Sequence, residues 1–289
     1  MSLSLRSIGA VLAAGVVAAT VTSVSAASTA SETVTVGAVT ARFTYDAAAP
    51  LSRAAHLKIS QSGRSVFDSS VHSSWCDHQC WSQFLGAGRS VFHVVRLEPG
   101  APPAVVLDLY SGGAHCCSIV QVYAKHSTTG HYGVTQRNFW DPGYRFVTSG
   151  PGGSSDFLTA DDTFAYAFTD FAASGMPVQV LRFSHGSYRD VTRKFPGLIV
   201  RDASQWLHAF QSAASSHYTD TVGVVAAWAA DEEMLGHDAR VRSFLAAQLA
   251  AGHLRSGLSP IQPGGAAFVR ALEHFLVVHH YAVDTASAG

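Results

Sequence analysis

From residue 33 to residue 192 the apolar positions come in short runs rather than at helical spacing. Val34-Thr35-Val36, Arg42-Phe43-Thr44-Tyr45, His56-Leu57-Lys58-Ile59 and Val91-Phe92-His93-Val94-Val95 are β-branched or aromatic segments that suit a pleated surface. Ala104-Val105-Val106-Leu107 lacks polar alternation and predicts a strand buried on both faces. Turn-forming residues separate the runs at Ser62-Gly63, Pro102-Pro103, Ser111-Gly112-Gly113, Thr129-Gly130 and Pro142-Gly143. His185-Gly186 predicts a two-residue hairpin between strands at 178–184 and 187–191. No helical segment of useful length interrupts this region, so the sheet is expected to be mostly antiparallel.

The region also repeats itself. Val105-Val106-Leu107-Asp108, a glycine turn and Val120-Gln121-Val122-Tyr123 are echoed by Phe157-Leu158-Thr159-Ala160-Asp161, a longer insertion and Val178-Gln179-Val180-Leu181. A recurring unit of a few strands is what a propeller blade or a similar β-repeat produces. The alternating aromatics Phe164, Tyr166 and Phe168, followed by Phe171, read as one buried face of a strand, or as a sugar-binding face together with Trp140 and Tyr144.

After Gly197 the period changes. Asp202-Ala203-Ser204-Gln205 has the form of a capping box, with Trp206, Phe210 and Ala213 following at helical spacing. A second helix is predicted over 221–235, presenting Val224, Val225, Trp228 and Leu235. A third begins near Asp238 with Val241, Phe244, Leu245 and Leu249; a fourth follows Pro263-Gly264-Gly265 with Phe268, Leu272, Phe275, Leu276 and His279. Four amphipathic helices with short links predict a small bundle or a cover for the sheet. The expected class is therefore α+β: an antiparallel, β-rich, propeller-like domain over 27–197, then a helical module over 198–289.

Residues 1–26 read as a cleavable signal peptide, with Arg6 as the positive region, an apolar run over 8–21 and the small residues Val24-Ser25-Ala26 at the cleavage point. No later stretch reaches the ~20 apolar residues of a spanning helix. The expectation is a secreted or extracytoplasmic protein with no transmembrane segment after cleavage. Nineteen Lys and Arg nearly cancel twenty Asp and Glu, and no basic cluster exists that would displace counterions from a nucleic acid.

Export changes the meaning of the four cysteines, Cys76, Cys80, Cys116 and Cys117. All four are expected in disulfides, with three possible connectivities. Linking one of the first pair to one of the second closes a loop worth roughly 4 kcal/mol in the chain-entropy model. Pairing within each doublet constrains the unfolded chain far less, so energetics favour the long-range pattern. Against it, adjacent residues on a strand point to opposite faces, so Cys116 and Cys117 cannot both reach one segment without a bend. A zinc reading would take the same thiols with His78 or His115, but structural zinc sites prefer a two-residue spacer.

Among carboxylates, Asp161-Asp162 is the sharpest pair, with Asp108 as a possible third across the repeat. Neighbours on a strand diverge, which favours loop-end aspartates accepting backbone N–H bonds over an acid–base pair. The fifteen histidines are scattered, and Glu233 with His237 lacks the second histidine of a zinc-protease helix. No nucleophile elbow, phosphate loop or dinucleotide fingerprint occurs.

Three segments, 108–117 (Asp108-Leu109-Tyr110-Ser111-Gly112-Gly113-Ala114-His115-Cys116-Cys117), Asp161-Asp162-Thr163-Phe164-Ala165-Tyr166-Ala167-Phe168-Thr169, and Tyr188-Arg189-Asp190-Val191-Thr192 with Phe195-Pro196, carry a resemblance. In combination they make 105–197 similar to a group of uncharacterised exported bacterial proteins related to FG-GAP/VCBS-type (integrin-alpha-like) β-propeller repeats. The resemblance implies a propeller-like β-fold and a scaffold or recognition role. It departs at the calcium loop of such repeats. The corresponding residues 148–156 offer one carboxylate, Asp156, where a hard dication needs several.

The expectation for function is thus a non-enzymatic binding or scaffold protein, its ligand a cell-envelope component or a partner protein. Asp108, His115, Asp161 and Asp162 are the candidate ligand-binding residues, and no catalytic residue, metal or cofactor is assigned. The rival is an exported hydrolase of glycans or phosphoesters working through Asp108, Asp161 and Asp162.

Overall fold

The computed structural model describes residues 29–46, 55–76, 80–82, 92–113, 117–126, 129–149, 151–216, 220–258 and 261–282. The expected signal peptide, His78, His115 and Cys116 lie outside the described residues.

Strands β1 (Thr29–Val36), β2 (Val39–Asp46), β3 (His56–Gln61) and β4 (Arg64–Ser70) form the first sheet in sequential order. The second holds β5 (Trp81–Ser82), β6 (Phe92–Val95), β7 (Ala104–Tyr110), β8 (Ser118–Lys125) and β9 (Tyr132–Asn138), with β5 and β6 both pairing with β7. The third is β10 (Arg145–Thr148), β11 (Ser155–Ala160), β12 (Val178–Ser184) and β13 (Ser187–Asp190), again sequential. Every ladder is antiparallel, as the absence of helical crossovers required.

The sheets stack because β7 has two apolar faces. Val105, Leu107 and Leu109 pack with Val39, Phe43, Leu57 and Ile59 of the first sheet. Val106 turns the other way, joining Val120, Val122, Phe157, Leu181 and Phe183 between the second and third sheets. The far face of the third sheet, through Val178 and Val180, meets Ile199 of the first helix. The Val-Gln-Val echo holds in space: Val122 lies opposite Val106, and Val180 opposite Leu158, in successive sheets. The mixed α+β class agrees with the sequence; what the structure has of a propeller is this stack of three antiparallel sheets. The hairpin at 185–186 is present, both residues having positive φ and Ser184 facing Ser187.

Helices α1 (Pro196–Ser215), α2 (Val222–Met234), α3 (Asp238–Ala250) and α4 (Gly265–Val278) follow. The capping box is a correction. α1 starts with Pro196, whose missing N–H costs nothing in a first turn, and Asp202 lies inside the helix. Its Oδ2 accepts from the Val178 backbone N–H at 2.8 Å and from Trp206 Nε1 at 2.9 Å, tying α1 to the third sheet. The strand expected over 164–168 is a second correction. That segment is a 3-10 turn and loop which sends Phe164 and Phe168 into the helical core and leaves Tyr166 half exposed. Two residues apart is also a spacing that tight turns satisfy, so alternation over five residues was ambiguous. The same loop presses on α2: a Cβ on Gly223 would sit 2.1 Å from the Ala173 carbonyl oxygen.

α2 is the hub, buried almost all round by α1, α3, α4 and this loop. Arg193, in the turn before α1, closes the helical layer. One of its terminal nitrogens donates to the carbonyls of Glu233 (3.3 Å) and Met234 (2.7 Å), the other to those of His280 (3.3 Å) and Tyr281 (2.8 Å). A single guanidinium thus joins the C-terminal carbonyls of α2 to those of the turn after α4.

Candidate functional site

Asp108 lies on β7 opposite Val120, on the face directed to the third sheet. It is buried; its Oδ1 accepts from the Tyr144 hydroxyl at 2.7 Å, and its Oδ2 is 3.7 Å from His93 Nε2. Burial, and then the Asp108 charge, hold the Tyr144 hydroxyl well above the usual phenol range. Asp108 is therefore an interior acceptor between two sheets.

Asp161 follows β11 and caps the 3-10 turn at 162–164. Its Oδ1 accepts from the Thr163 backbone N–H (3.0 Å) and hydroxyl (2.8 Å), its Oδ2 from the Tyr281 hydroxyl (2.7 Å). Tyr281 is pushed far up, first by burial and then by the Asp161 charge. Asp162 has a different environment: partial burial, then the charges of Asp161 and Asp141, raise its carboxyl to about 6. Asp161 and Asp162 line one cleft; Asp108 does not line it.

That cleft, about 370 Å³, lies where the C-terminal end of β9 meets the ends of β11 and β12. Arg137, Asn138, Trp140, Thr159 and Gln179 contribute with the aspartate pair. Sequence reasoning did not join these residues, because they come from the ends of three strands and the residues just beyond them, with no common spacing. The Arg137 guanidinium lies over the rings of Phe139 and Tyr188, 5.7 and 5.5 Å from their centroids. Trp140 has φ 52°, in the left-handed region that disfavours side chains. Its N–H donates to Asn138 Oδ1 at 2.8 Å, and its carbonyl accepts from Ser118 at 3.0 Å, which fixes the bend. The indole is 41% exposed and meets the 49% exposed indole of Trp75 edge to face, at 6.0 Å and 83°.

Backbone pairing extends this aromatic end. Trp81, also exposed, faces Tyr110 across the β5–β7 ladder, and Tyr110 faces Ser118, which holds Trp140. Trp75 and Trp81 flank Cys76 and Cys80, which are bonded to each other. The long-range cross-link is thus overturned. Loop entropy weighs only the unfolded chain, and in the native fold the two thiols, four positions apart just before β5, meet each other. Cys117 is also disulfide-bonded. Oxidation takes the thiols that a zinc site would use. The one carboxylate of the calcium-loop position is committed as well: Asp156 is buried and accepts from Arg182 Nε at 3.0 Å and from its terminal nitrogen at 2.7 Å.

A larger cavity, about 860 Å³, opens between α3 and α4. Its walls are Val241, Leu245 and Leu276 of the helical core, and of its two guanidiniums Arg193 is spent on four carbonyls while Arg242 is paired with Asp238 at 2.7 Å. Its polar groups serve the bundle, whereas the cleft at Trp140 holds groups the fold does not use.

A probable thylakoid lumen protein of Synechocystis sp. is 26% identical to this chain over 137 residues, a match that spans 46% of this chain and 40% of the relative. The chain therefore covers less than half of that relative's length. No family model matches the chain, and no solved structure matches it. Among the described residues no helix is long and apolar enough to cross a membrane.

Proposed function

We propose that this is an exported, non-catalytic binding protein that recognises a cell-envelope component through the loop end of its second and third sheets. The observation that carries the reading is the cleft beside Trp140, where exposed aromatic and polar side chains gather at one end of a rigid stack. Location outside the cytoplasm is supported by the pattern of residues 1–26, by the oxidised cysteines and by the lumenal name of the relative. The stacked antiparallel repeats support a propeller-type recognition scaffold over 27–197, with 198–289 as a helical brace.

One observation favours the hydrolase alternative: an acid raised to about 6 beside a second carboxyl is an arrangement that general acid catalysis uses. Against it, both Asp161 oxygens already accept bonds that fasten the turn at 162–164 and Tyr281. The deciding experiment incubates the mature chain with envelope preparations, measuring retention and released products together. Retention without products is expected. Product release that vanishes in Asp161→Asn and Asp162→Asn, at unchanged melting temperature, would establish the hydrolase instead.

A further inference from the structure

We infer that the cleft binds a pyranose oligosaccharide, one ring stacked on the Trp140 indole beside Trp75 and its hydroxyls bonded to Asn138, Gln179 and Asp162 beneath; this rests on the binding reading above. Three independent features lead there. Trp140 and Trp75, edge to face and left 41% and 49% exposed, make an apolar corner that the fold itself does not bury. Trp140 sits at a left-handed position where glycine or asparagine would cost least, so its indole is held there against the backbone's preference. Asn138 is only 7% exposed, its Oδ1 is taken by the Trp140 N–H, and its Nδ2 has no acceptor among the described residues. A buried orphan donor lining a cleft calls for an acceptor from outside.

The chemistry of the cleft selects among ligands. Gln179 donates its Nε2 to Asp190 and keeps its Oε1 as an acceptor; Asp162 accepts as well, and Asn138 donates. Hydroxyl groups, which both donate and accept, fit such a mixed set. A polyphosphate or nucleic acid would face Asp161 and Asp162 with Arg137 as the one guanidinium lining the cleft. A lipid chain would strand the orphan amide. A pyranose also carries an apolar C–H face, whose partly positive hydrogens suit the negative face of an indole. The volume is at the small end of ligand sites, enough for a short glycan segment.

The test is a titration of tryptophan fluorescence in the mature, oxidised chain with two probes, an N-acetylglucosamine tetramer and a glucose tetramer, which separate amino-sugar from plain hexose sources. Saturable binding of at least one is expected. Trp140→Gly removes the platform while relieving the backbone, so at least a tenfold loss of affinity is expected with melting temperature unchanged or raised. Asn138→Asp keeps the acceptor for Trp140 and deletes the donor, with a similar loss expected. Binding undiminished in both variants, or no response to either tetramer up to about 5 mM, would overturn the glycan assignment. Envelope retention that Trp140→Gly abolishes, with both tetramers inert, would refute the pyranose and leave the binding site standing. Retention unaffected by Trp140→Gly would bring down the site itself.

Discussion

Asp231 of α2 is fully buried, and the backbone donor that bears on it, the Val178 N–H, is held by Asp202 at 2.8 Å. Its neighbour on the next helix is the Asp202 carboxylate, already accepting from Val178 and Trp206. Two carboxylates can touch only through a proton, so burial first and then the Asp202 charge push Asp231 up to about 10. The adjacent Glu232, equally buried, contrasts with it: His237 and Arg240 each lie 2.7 Å from its oxygens. The fold therefore contains a neutral acid beside a carboxyl that has both its partners. In the unfolded chain Asp231 ionises near 3.8. Its folded value is raised, so its contribution is fully present below about 4 and declines as pH rises towards 10, where the folded acid itself ionises. At about 1.4 kcal/mol per pH unit, the three units from pH 5 to pH 8 amount to roughly 4 kcal/mol. Asp231→Asn mimics the protonated acid and cannot ionise. Its stability relative to the parent should therefore rise by several kcal/mol between pH 5 and pH 8. Urea denaturation of both proteins at pH 5, 6.5 and 8 measures this. A difference that is flat with pH, or that falls towards pH 8, would refute the shared proton.

Arg193→Lys loses the fork that reaches two helix ends and should destabilise by about 2–3 kcal/mol, with hydrogen exchange accelerating at the ends of α2 and α4. Cys76→Ser with Cys80→Ser opens a ring of only four residues' separation, so chemical denaturation should show a loss near 2 kcal/mol rather than the roughly 4 of a long loop. Gly223→Ala drives a Cβ into the Ala173 carbonyl, and α2 is packed on all sides; thermal melting should show a loss of about 3 kcal/mol.

Strands with a strong local signature were legible in the sequence. The unbroken apolar run at 104–107 predicted a doubly buried strand, and β7 is that strand because sheets cover both its faces. β4 and β9 were not anticipated. β4 is an edge strand with mostly exposed side chains, and β9 is mostly half-buried, so neither carries an apolar alternation to read. A cap at Asp202 puts the start of α1 seven residues late, since the helix is capped at Phe195, and only Val178 and Trp206 reveal the use of Asp202. Of the candidate site, Asp161 and Asp162 stood out as a doublet and do line the cleft. Trp140 was legible only as an aromatic of the alternative sugar-binding face, with Tyr144 and the aromatics of 164–171, and Asn138 not at all, since a left-handed backbone and an unpaired amide leave no mark in the residue types around them.

What the amino-acid order determined by itself was local: strand and turn alternation, four helices, the repeated Val-Gln-Val core and an export-type leader pattern. These follow from the one- to four-residue periodicities that neighbouring side chains impose on a backbone. The tertiary structure decided which groups meet. It paired Cys76 with Cys80, buried Asp108 away from Asp161, gave Asp231 a proton and set Trp75 against Trp140. Such meetings depend on how three sheets and four helices close on one another. Their energies come from desolvation and from contacts between residues far apart in the chain, which local spacing does not encode.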